Sequence, residues 1–318
     1  MRHRLATQSA SSGFSRGGTS VAAAARHALA CLLLAGASAA RAQPPDDTLA
    51  RIAETGVVHL GHRESSVPFS YYDQRRQVVG FSHELALRVV DALRAELKLP
   101  ALTIRLVPVT PQNRIPLVQN GSVDLECAST SHTLEREKQV AFSVSFFVAG
   151  TRLLVRRGSP VHRVDDLGGR RVVTTSGTTS DRWLRLHNER TGGRIDIVLA
   201  RDHGEAFQTL EQGRADAFLM DDALLYGERA KAQRPEDWVV VGEPMSAEPY
   251  ACMMRRGDAR FKAVVDAGLV GLMKSGEALR LHDRWFRQPI PPRGLNLAWP
   301  ASEALLELYR SPTDRALQ

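Results

Sequence analysis

Apolar and polar positions along the chain follow two periods, one typical of helices and one typical of short buried strands. Leu85, Val89 and Leu93 recur every four residues, so they form one face of an amphipathic helix. Apolar runs at residues 57–61 and 103–107 lie before and after this helix and have the length of strands. The resulting β-α-β order predicts a doubly wound parallel sheet.

Residues 112–136 continue this sheet and carry polar groups at its expected binding edge. A proline is tolerated in the first turn of a helix, so Pro116 predicts that a helix begins just before it. Residues 123–127 then alternate as a short strand. Three hydroxyl residues follow it, namely Ser129, Thr130 and Ser131. Ligands of open parallel sheets bind at the carboxyl ends of strands, and Arg114 and Arg136 add guanidinium groups, so a pocket for a small anionic molecule is predicted.

A second α/β region follows an extended stretch at residues 142–155, which predicts a crossover into another domain. The helix-to-strand segment at residues 120–125 recurs in similar form at residues 212–217, so each half uses the same unit. A strand near residues 250–255 is expected to return the chain to the first half, and hinge strands are expected to join two α/β lobes. The predicted lobes are residues 43–148 with residues 247–318 (lobe 1) and residues 149–246 (lobe 2).

Three helix boundaries in the second half are predicted from local signals. A helix at residues 181–190 is expected to be capped by Ser180 or Thr179, because Ser and Thr are favoured N-caps. Asp222 is expected to cap the last helix of lobe 2 in the same way. Residues 261–286 are expected to form one helical segment.

The first 42 residues have the composition of a signal peptide, and we expect them to be removed on export. Scattered arginines precede an apolar run at residues 28–39, and Ala40-Arg41-Ala42 follows as a cleavage site. The run is too short to span a bilayer. Cys31 lies inside the run rather than after it, which argues against a lipid anchor. An exported, soluble chain is therefore expected.

Charge and composition exclude two classes of function. Removing residues 1–42 deletes five arginines and no acidic residue, so the formal net charge falls from +7 to +2. No stripe of Lys and Arg with interleaved aromatic residues remains, so nucleic-acid binding has no support. Residues 43–318 contain no apolar run that is long enough for a membrane span, and their length suits two domains.

Cys127 and Cys252 are the cysteines left after export, an even count that allows one disulfide in an oxidising compartment. Two separately buried thiols are the alternative. Two distant cysteines do not supply the closely spaced soft ligands of a metal site, so no metal is expected. No G-x-S-x-G elbow precedes a predicted helix, and no HExxH, Walker or GxGxxG fingerprint occurs, so neither a cofactor nor a catalytic residue is predicted.

Motifs spread over residues 61–296 resemble one protein family. They are GHRESSVPFSYYD, QNRIPLVQNG, ECAST with LER, TSGTTS, DHG, MDDALL, GERAKA and IPP with LN. By these motifs the chain resembles the periplasmic solute-binding proteins of polar amino acid ABC importers (family 3 type), most closely their glutamate/aspartate-binding branch. The resemblance implies a type II periplasmic-binding-protein fold whose lobes close on one amino acid. It also implies a periplasmic location and ABC transporter permease subunits as partners; we expect a monomer.

The resemblance further implies eight ligand-binding residues, in which each part of an amino acid has its own partners. The α-carboxylate is bound by Ser129, Ser131, Arg136 and Thr179. The α-ammonium is bound by Asp221. The side-chain carboxylate is surrounded by Arg63, Arg114 and His203. Pro111 stands where the glutamate/aspartate branch has a ligand-contacting serine, which leaves the preference between aspartate and glutamate open.

The charges of this set favour a dicarboxylic ligand on physical grounds. Arg63, Arg114 and Arg136 carry three positive charges, whereas Asp221 carries one negative charge. A neutral amino acid would leave two desolvated arginines unpaired, which is unfavourable. L-glutamate or L-aspartate supplies a second carboxylate, which the guanidinium fork can bind in a bidentate manner.

Several of these residues have structural alternatives. Arg136 lies in a charged run and Arg63 lies beside Glu64, so both are also compatible with surface ion pairs. His203 starts a predicted helix and is compatible with a cap or an exposed position. Tyr71 is more typical of a packing residue, and a lid over the ligand is its alternative role.

Three other functions remain open from the sequence. The same two-lobed fold hosts enzymes of the cyclohexadienyl dehydratase type, so fold alone does not exclude catalysis. A binding protein for another polar amino acid is the second alternative. A sensor domain is the third, but it would need an attached membrane span, and residues 43–318 contain none.

Overall fold

Strands and helices alternate along residues 47–316, the part of the chain that the computed structural model describes. The strands are β1 (Val57–His62), β2 (Ser65–Ser66), β3 (Ser70–Tyr72), β4 (Val78–Val79), β5 (Thr103–Pro108), β6 (Leu125–Glu126), β7 (Ala141–Ala149), β8 (Thr151–Arg156), β9 (Arg171–Thr175), β10 (Asp196–Ala200), β11 (Ala217–Asp221), β12 (Trp238–Val241) and β13 (Glu248–Met254). The α-helices are α1 (Thr48–Thr55), α2 (Phe81–Leu97), α3 (Arg114–Gln119), α4 (Leu134–Glu137), α5 (Thr179–Arg190), α6 (His203–Glu211), α7 (Asp222–Lys231), α8 (Ala259–Lys274), α9 (Glu277–Arg287) and α10 (Glu303–Arg310). Short 3₁₀ helices occupy Val164–Leu167 and Pro235–Asp237.

Each of the two large sheets combines parallel strands with one strand that runs the opposite way. The first sheet has the order β5-β1-β6-β13-β7, and the second has the order β10-β9-β11-β8-β12. Strands β1, β5 and β6 pair in parallel, as do β9, β10 and β11. Strands β13 and β8 are antiparallel to both of their neighbours. The predicted doubly wound arrangement is therefore present, but both sheets are mixed rather than purely parallel.

The core of the first sheet follows the predicted hydrophobic pattern. Leu85, Val89 and Leu93 of α2 are all at most 1% exposed, so the predicted helix face is the buried face. Aromatic rings fill the space between this helix, the sheet and α9. Phe81 packs edge-on against Phe286, with ring centroids 5.5 Å apart. These contacts fix α2 and α9 against each other beside the first sheet.

Several predicted element boundaries are wrong, and each has a local cause. Helix α5 begins at Thr179, because the Thr178 side chain accepts the cap hydrogen bond from Asp181 N at 3.1 Å; neither Ser180 nor Thr179 is the cap. The predicted helix at residues 261–286 is split into α8 and α9. Gly276 adopts a left-handed conformation (φ 76°) at the break, which glycine adopts without a steric penalty.

The chain passes between the two sheets twice. Strand β7 of the first sheet ends at Ala149, and β8 of the second sheet starts at Thr151. The return occurs between Val241 and Glu248, and the described residues form one compact unit by their contacts. No described helix is long and apolar enough to cross a membrane. The predicted signal peptide, residues 1–42, lies outside the described residues.

A disulfide joins Cys127 to Cys252, with Cα atoms 4.3 Å apart. Cys127 directly follows β6, and Cys252 lies in the neighbouring strand β13, so the bond lies within the first sheet. The residues between the two cysteines include all of the second sheet. The bond therefore fixes the returning strand beside the parallel strands of the first sheet.

Replacing both cysteines should lower the free energy of unfolding, because the unfolded chain loses a long covalent loop. We expect Cys127→Ala/Cys252→Ala to lose about 2–5 kcal/mol in chemical denaturation. Reducing the wild-type protein should produce a similar loss, whereas a reductant should not change the stability of the double variant. A loss below about 0.5 kcal/mol in both experiments would contradict this role.

Candidate functional site

The predicted ligand-binding residues all lie at or just beyond the carboxyl ends of parallel strands, where the loops of the two sheets face each other. They follow β1, β5 and β6 in the first sheet and β9, β10 and β11 in the second. Two contacts connect the two sets: Ser131 Oγ lies 3.3 Å from Thr179 Oγ1, and Arg136 Nη2 donates to Gly177 O at 3.3 Å. The residues therefore meet where the two sheets face each other, and this region is called the cleft below.

Arg63, Arg114 and His203 are buried together on one side of this cleft. Each is at most 2% exposed. The Arg63 guanidinium makes no hydrogen bond or ion pair with any residue that the structure describes. The backbone of Arg63 is bonded: its N–H donates to Ser70 Oγ at 3.0 Å, and its carbonyl oxygen lies 3.1 Å from His62 Nδ1. Arg114 Nε and His203 Nε2 are also buried without a partner among the described residues. Buried polar atoms of this kind are unfavourable unless a further group bonds to them.

The charges within this group are set by burial. Desolvation, followed by the like charge of Arg114, lowers the pKa of Arg63 to about 10, so Arg63 remains cationic at neutral pH. Desolvation and then the charges of Arg63 and Arg114 lower the pKa of His203 well below 6.5, so its imidazole is neutral. His203 Nδ1 lies 2.9 Å from Thr175 Oγ1, which fixes the ring orientation.

Arg114 is held in place by a hydroxyl bridge to a buried glutamate. Its Nη1 donates to Thr130 Oγ1 and, at 3.3 Å, to Ser129 O. The Thr130 hydroxyl donates in turn to Glu126 Oε2 at 2.8 Å, and Glu126 is completely buried. Burial lowers the pKa of Arg114, whereas the negative charge of Glu126 opposes that shift. Glu126 therefore balances the charge of Arg114 without contacting its guanidinium.

Arg136, Ser129, Ser131 and Thr179 form the other side of the cleft. Arg136 Nη1 donates to Ser131 O at 2.8 Å, and Arg136 is 8% exposed. Ser129 Oγ is buried with no hydrogen-bond partner among the described residues. Desolvation, then the charge of Arg114, lowers the pKa of Arg136 to about 9, so this guanidinium also stays cationic. Hydroxyl groups and a guanidinium here suit a carboxylate.

Asp221 is the last residue of β11, and three protein hydroxyl groups already donate hydrogen bonds to its carboxylate. Its Oδ2 accepts from the Tyr250 hydroxyl, and its Oδ1 accepts from Ser180 Oγ at 3.2 Å and from Thr151 Oγ1 at 3.4 Å. Desolvation, followed by the negative charge of Glu248, raises the pKa of Asp221 to about 7. Tyr250 has a pKa well above 10, mainly because it is buried.

The charge count made from the sequence is wrong, because two buried glutamates were left out of it. Glu126 and Glu248 are 0% and 5% exposed. Both act electrostatically on Arg136, and Glu126 also acts on Arg63 and Arg114. Three arginines are thus accompanied by three carboxylates rather than by one. Apolar residues flank both glutamates in the sequence. A charged residue between apolar neighbours was the available sign that each carboxylate is buried.

Some predicted roles do not agree with the structure. Asp222 is not an N-cap: it is the first residue of α7, and its Oδ1 accepts from Gly150 N at 3.0 Å where the chain crosses between the sheets. Tyr71 is 1% exposed and donates to Pro291 O at 2.7 Å, so it packs in the core and does not form a lid. Arg63 is buried, so a surface ion pair with Glu64 is excluded.

The arrangement is suited to binding rather than to metal chemistry. No group of three or more His, Cys, Asp or Glu side chains in residues 47–316 is arranged to hold a metal ion. The cleft instead presents cationic and hydroxyl donors on two sides and carboxylates beside them. A ligand with both carboxylate and ammonium groups matches this pattern.

Comparisons with known proteins match most of the chain. The family model for bacterial extracellular solute-binding proteins, family 3, matches residues 58–288. The chain is 54% identical over 272 residues to the L-glutamate/L-aspartate-binding protein of Pseudomonas aeruginosa, which covers 85% of this chain and 90% of that relative. It is 48% identical over 292 residues to the glutamate/aspartate import solute-binding protein of Salmonella typhimurium, covering 90% of this chain and 97% of that relative.

Solved structures extend the likeness to the fold. An ancestral arginine-binding protein bound to arginine superposes with a TM-score of 0.67 at 28% identity. The match covers 73% of this chain and 98% of that protein. The two-sheet architecture is therefore shared over nearly the whole of the solved structure.

Proposed function

This chain belongs to family 3 of the bacterial extracellular solute-binding proteins, and on that premise we propose that it binds L-glutamate or L-aspartate and delivers it to an inner-membrane ABC transporter. The fold is the type II periplasmic-binding-protein fold, as predicted. One observation carries the choice of ligand. The buried Arg63 guanidinium and Arg114 Nε have no acceptor among the described residues, so an anionic ligand side chain would satisfy them.

The proposed ligand is held by its three charged groups. Arg136, with the hydroxyls of Ser129, Ser131 and Thr179, receives the α-carboxylate. Asp221 receives the α-ammonium. Arg63 and Arg114 receive the side-chain carboxylate, and the neutral His203 ring completes that side of the cleft through Nε2. An amide side chain would give the two guanidinium groups a single uncharged oxygen, so glutamine should bind less well than glutamate.

The preference for a dicarboxylic amino acid does not come from the total charge of the site. Three carboxylates, Glu126, Glu248 and Asp221, accompany the three arginines, so a large excess of positive groups does not select the ligand. The selection comes from donor geometry, because Glu126 is bonded to Thr130 and leaves the guanidinium groups free to contact a carboxylate. Pro111 leaves the preference between aspartate and glutamate open.

We propose that the lobes are residues 43–148 with 247–318 and residues 149–246, joined by the crossings at 149–151 and 241–248. Ligand contacts both sheets, so binding favours the closed arrangement. We further propose that residues 1–42 are a cleaved signal peptide, that the protein acts as a monomer in the periplasm, and that its partner is the permease of an ABC transporter. It is a binding protein and not an enzyme.

Titration calorimetry of the purified protein tests this function directly. We expect micromolar or tighter binding of glutamate or aspartate, much weaker binding of glutamine and histidine, and no product after incubation with prephenate or arogenate. Binding of a neutral amino acid with no response to either dicarboxylate would refute the proposed specificity. Turnover of prephenate or arogenate would instead favour the dehydratase alternative.

Substituting the two arginines separately should distinguish their roles. Arg114→Ala should lower the affinity for glutamate by about 100-fold or more and the affinity for glutamine by far less, because only glutamate has a charged side chain that pairs with Arg114. Arg136→Ala should abolish binding of both, because both share the α-carboxylate. Arg105→Ala, an exposed arginine in β5, is the matched control and should leave both affinities unchanged. Equal losses of the two ligands in Arg114→Ala would show that Arg114 does not contact the ligand side chain.

A single added methyl group should prevent closure of the cleft. Gly227 in α7 packs against the turn between β2 and β3, and a Cβ at this position would lie 2.2 Å from Val67 O. We expect Gly227→Ala to weaken glutamate binding at least about tenfold. In the proposed open arrangement the added methyl group no longer meets Val67 O. The stability of the open, ligand-free protein should therefore be retained or increased, because alanine favours a helix by about 1 kcal/mol.

Gly271→Ala is the control for this experiment. Gly271 also lies within a helix, α8, but a Cβ there would meet no atom within 4 Å. Its affinity for glutamate should equal that of the wild type. If Gly227→Ala also bound glutamate with wild-type affinity, the two surfaces would not need to approach during binding.

A further inference from the structure

Glu248 is a buried carboxylate at the point where the chain returns to the first sheet. It is the first residue of β13 and is 5% exposed. Its Oε2 accepts from Thr179 Oγ1 at 3.0 Å, and its Oε1 accepts from Ser246 Oγ at 2.8 Å. Thr179 is the first residue of α5, which follows β9 of the second sheet, whereas Glu248 belongs to the first sheet. The hydrogen bond between them therefore crosses the cleft. The proposed set of ligand-binding residues does not include Glu248 and gives its carboxylate no role.

Glu248 and Asp221 border the same part of the cleft. A chain of hydroxyls connects them, because Thr151 Oγ1 lies 2.8 Å from Ser246 Oγ and 3.4 Å from Asp221 Oδ1. The charge of Glu248 is the second largest cause, after burial, of the raised pKa of Asp221. The two carboxylates are therefore close enough to repel each other through a buried, weakly screened space.

Asp221 alone offers little room for an ammonium group. A carboxylate has about four acceptor positions, and Asp221 already accepts from Tyr250, Ser180 and Thr151. An α-ammonium has three N–H donors. It is attached to the same carbon as the α-carboxylate, so its other acceptors must lie beside the groups that bind that carboxylate. Thr179 is one of those groups, and Glu248 is bonded to it.

We infer that Glu248 is a second acceptor for the ligand α-ammonium, so that Asp221 and Glu248 bind it as a pair. The inference rests on the proposed function, since it presupposes an amino acid in the cleft. In the structure, Glu248 accepts from Thr179. With ligand bound, Thr179 donates to the α-carboxylate and Glu248 turns to the ammonium. Glu248 also belongs to one of the two chain crossings, so this contact links ammonium binding to the hinge.

The pair predicts that binding releases protons near neutral pH. Burial, followed by the negative charge of Glu248, raises the pKa of Asp221 to about 7, so part of the population carries a proton there at neutral pH. A bound ammonium favours both carboxylates in the ionised form and lowers that pKa. Affinity should therefore rise with pH between about 5 and 8 and then level off. The charged and titratable groups that face Asp221 are Glu248 and Tyr250 from β13, Arg114, Arg136 and the adjacent Asp222.

The test compares glutamate with glutarate, a dicarboxylate of the same length that lacks the α-ammonium. Glu248→Gln should weaken glutamate by roughly 10- to 100-fold and change glutarate binding by less than about threefold. Glu243→Gln makes the same substitution at an exposed position in the same crossing and should behave like the wild type. Glu248→Asp, which keeps a carboxylate, should recover part of the glutamate affinity.

Proton release provides a second measurement, made by calorimetry at pH 7 in buffers of different ionisation enthalpy. Wild type and Glu243→Gln should release protons on binding glutamate. Glu248→Gln should release fewer, because Asp221 loses a repulsive neighbour, its pKa falls, and fewer molecules carry the proton before binding. Unchanged glutamate affinity, unchanged proton release, or equal losses of glutamate and glutarate would overturn the role of Glu248. Failure of the wild type to bind either acidic amino acid would instead refute the proposed function.

Discussion

Three buried guanidinium groups at the facing edges of two sheets are the constraint on which the rest of the structure depends. Arg63, Arg114 and Arg136 have no carboxylate within ion-pair distance among the residues that the structure describes. Burying such charges without compensation is strongly unfavourable. The protein compensates at longer range, with Glu126 bonded to the Thr130 bridge and with Glu248 beside Thr179. Direct ion pairs would have occupied the donors that a ligand needs.

The two antiparallel strands, β8 and β13, connect the proposed hinge to the proposed binding site. Strand β8 begins just after the first crossing, and β13 begins just after the second. Thr151 of β8 and Tyr250 of β13 both bond to Asp221. The same short segments therefore carry the chain between the sheets and border the proposed binding site. A change in the angle between the sheets must alter these contacts, and the proposed ligand would act on the same atoms.

Much of the architecture was predictable from the sequence, because it is encoded in local patterns. The face of α2 formed by Leu85, Val89 and Leu93 and the polar loop after β6 follow from periodicity and strand order. Periodicity did not predict that the three arginines lie in one site; that prediction came from the motif resemblance. Glu126 and Glu248 were missed because alternation along a strand does not reveal a charged residue whose partners come from distant segments. The break at Gly276 was missed because apolar periodicity continues on both sides of it.

The position of the Cys127–Cys252 bond has a consequence for the covalent connectivity of the molecule. Every residue of the second sheet lies between these two cysteines in sequence. A protease that cuts an exposed turn of this region, such as the one at Gly192 and Gly193, would therefore produce two fragments that remain joined. Such a nicked molecule would migrate as one chain until it was reduced. Intactness in a non-reducing gel is thus no guarantee of an unbroken backbone for this protein.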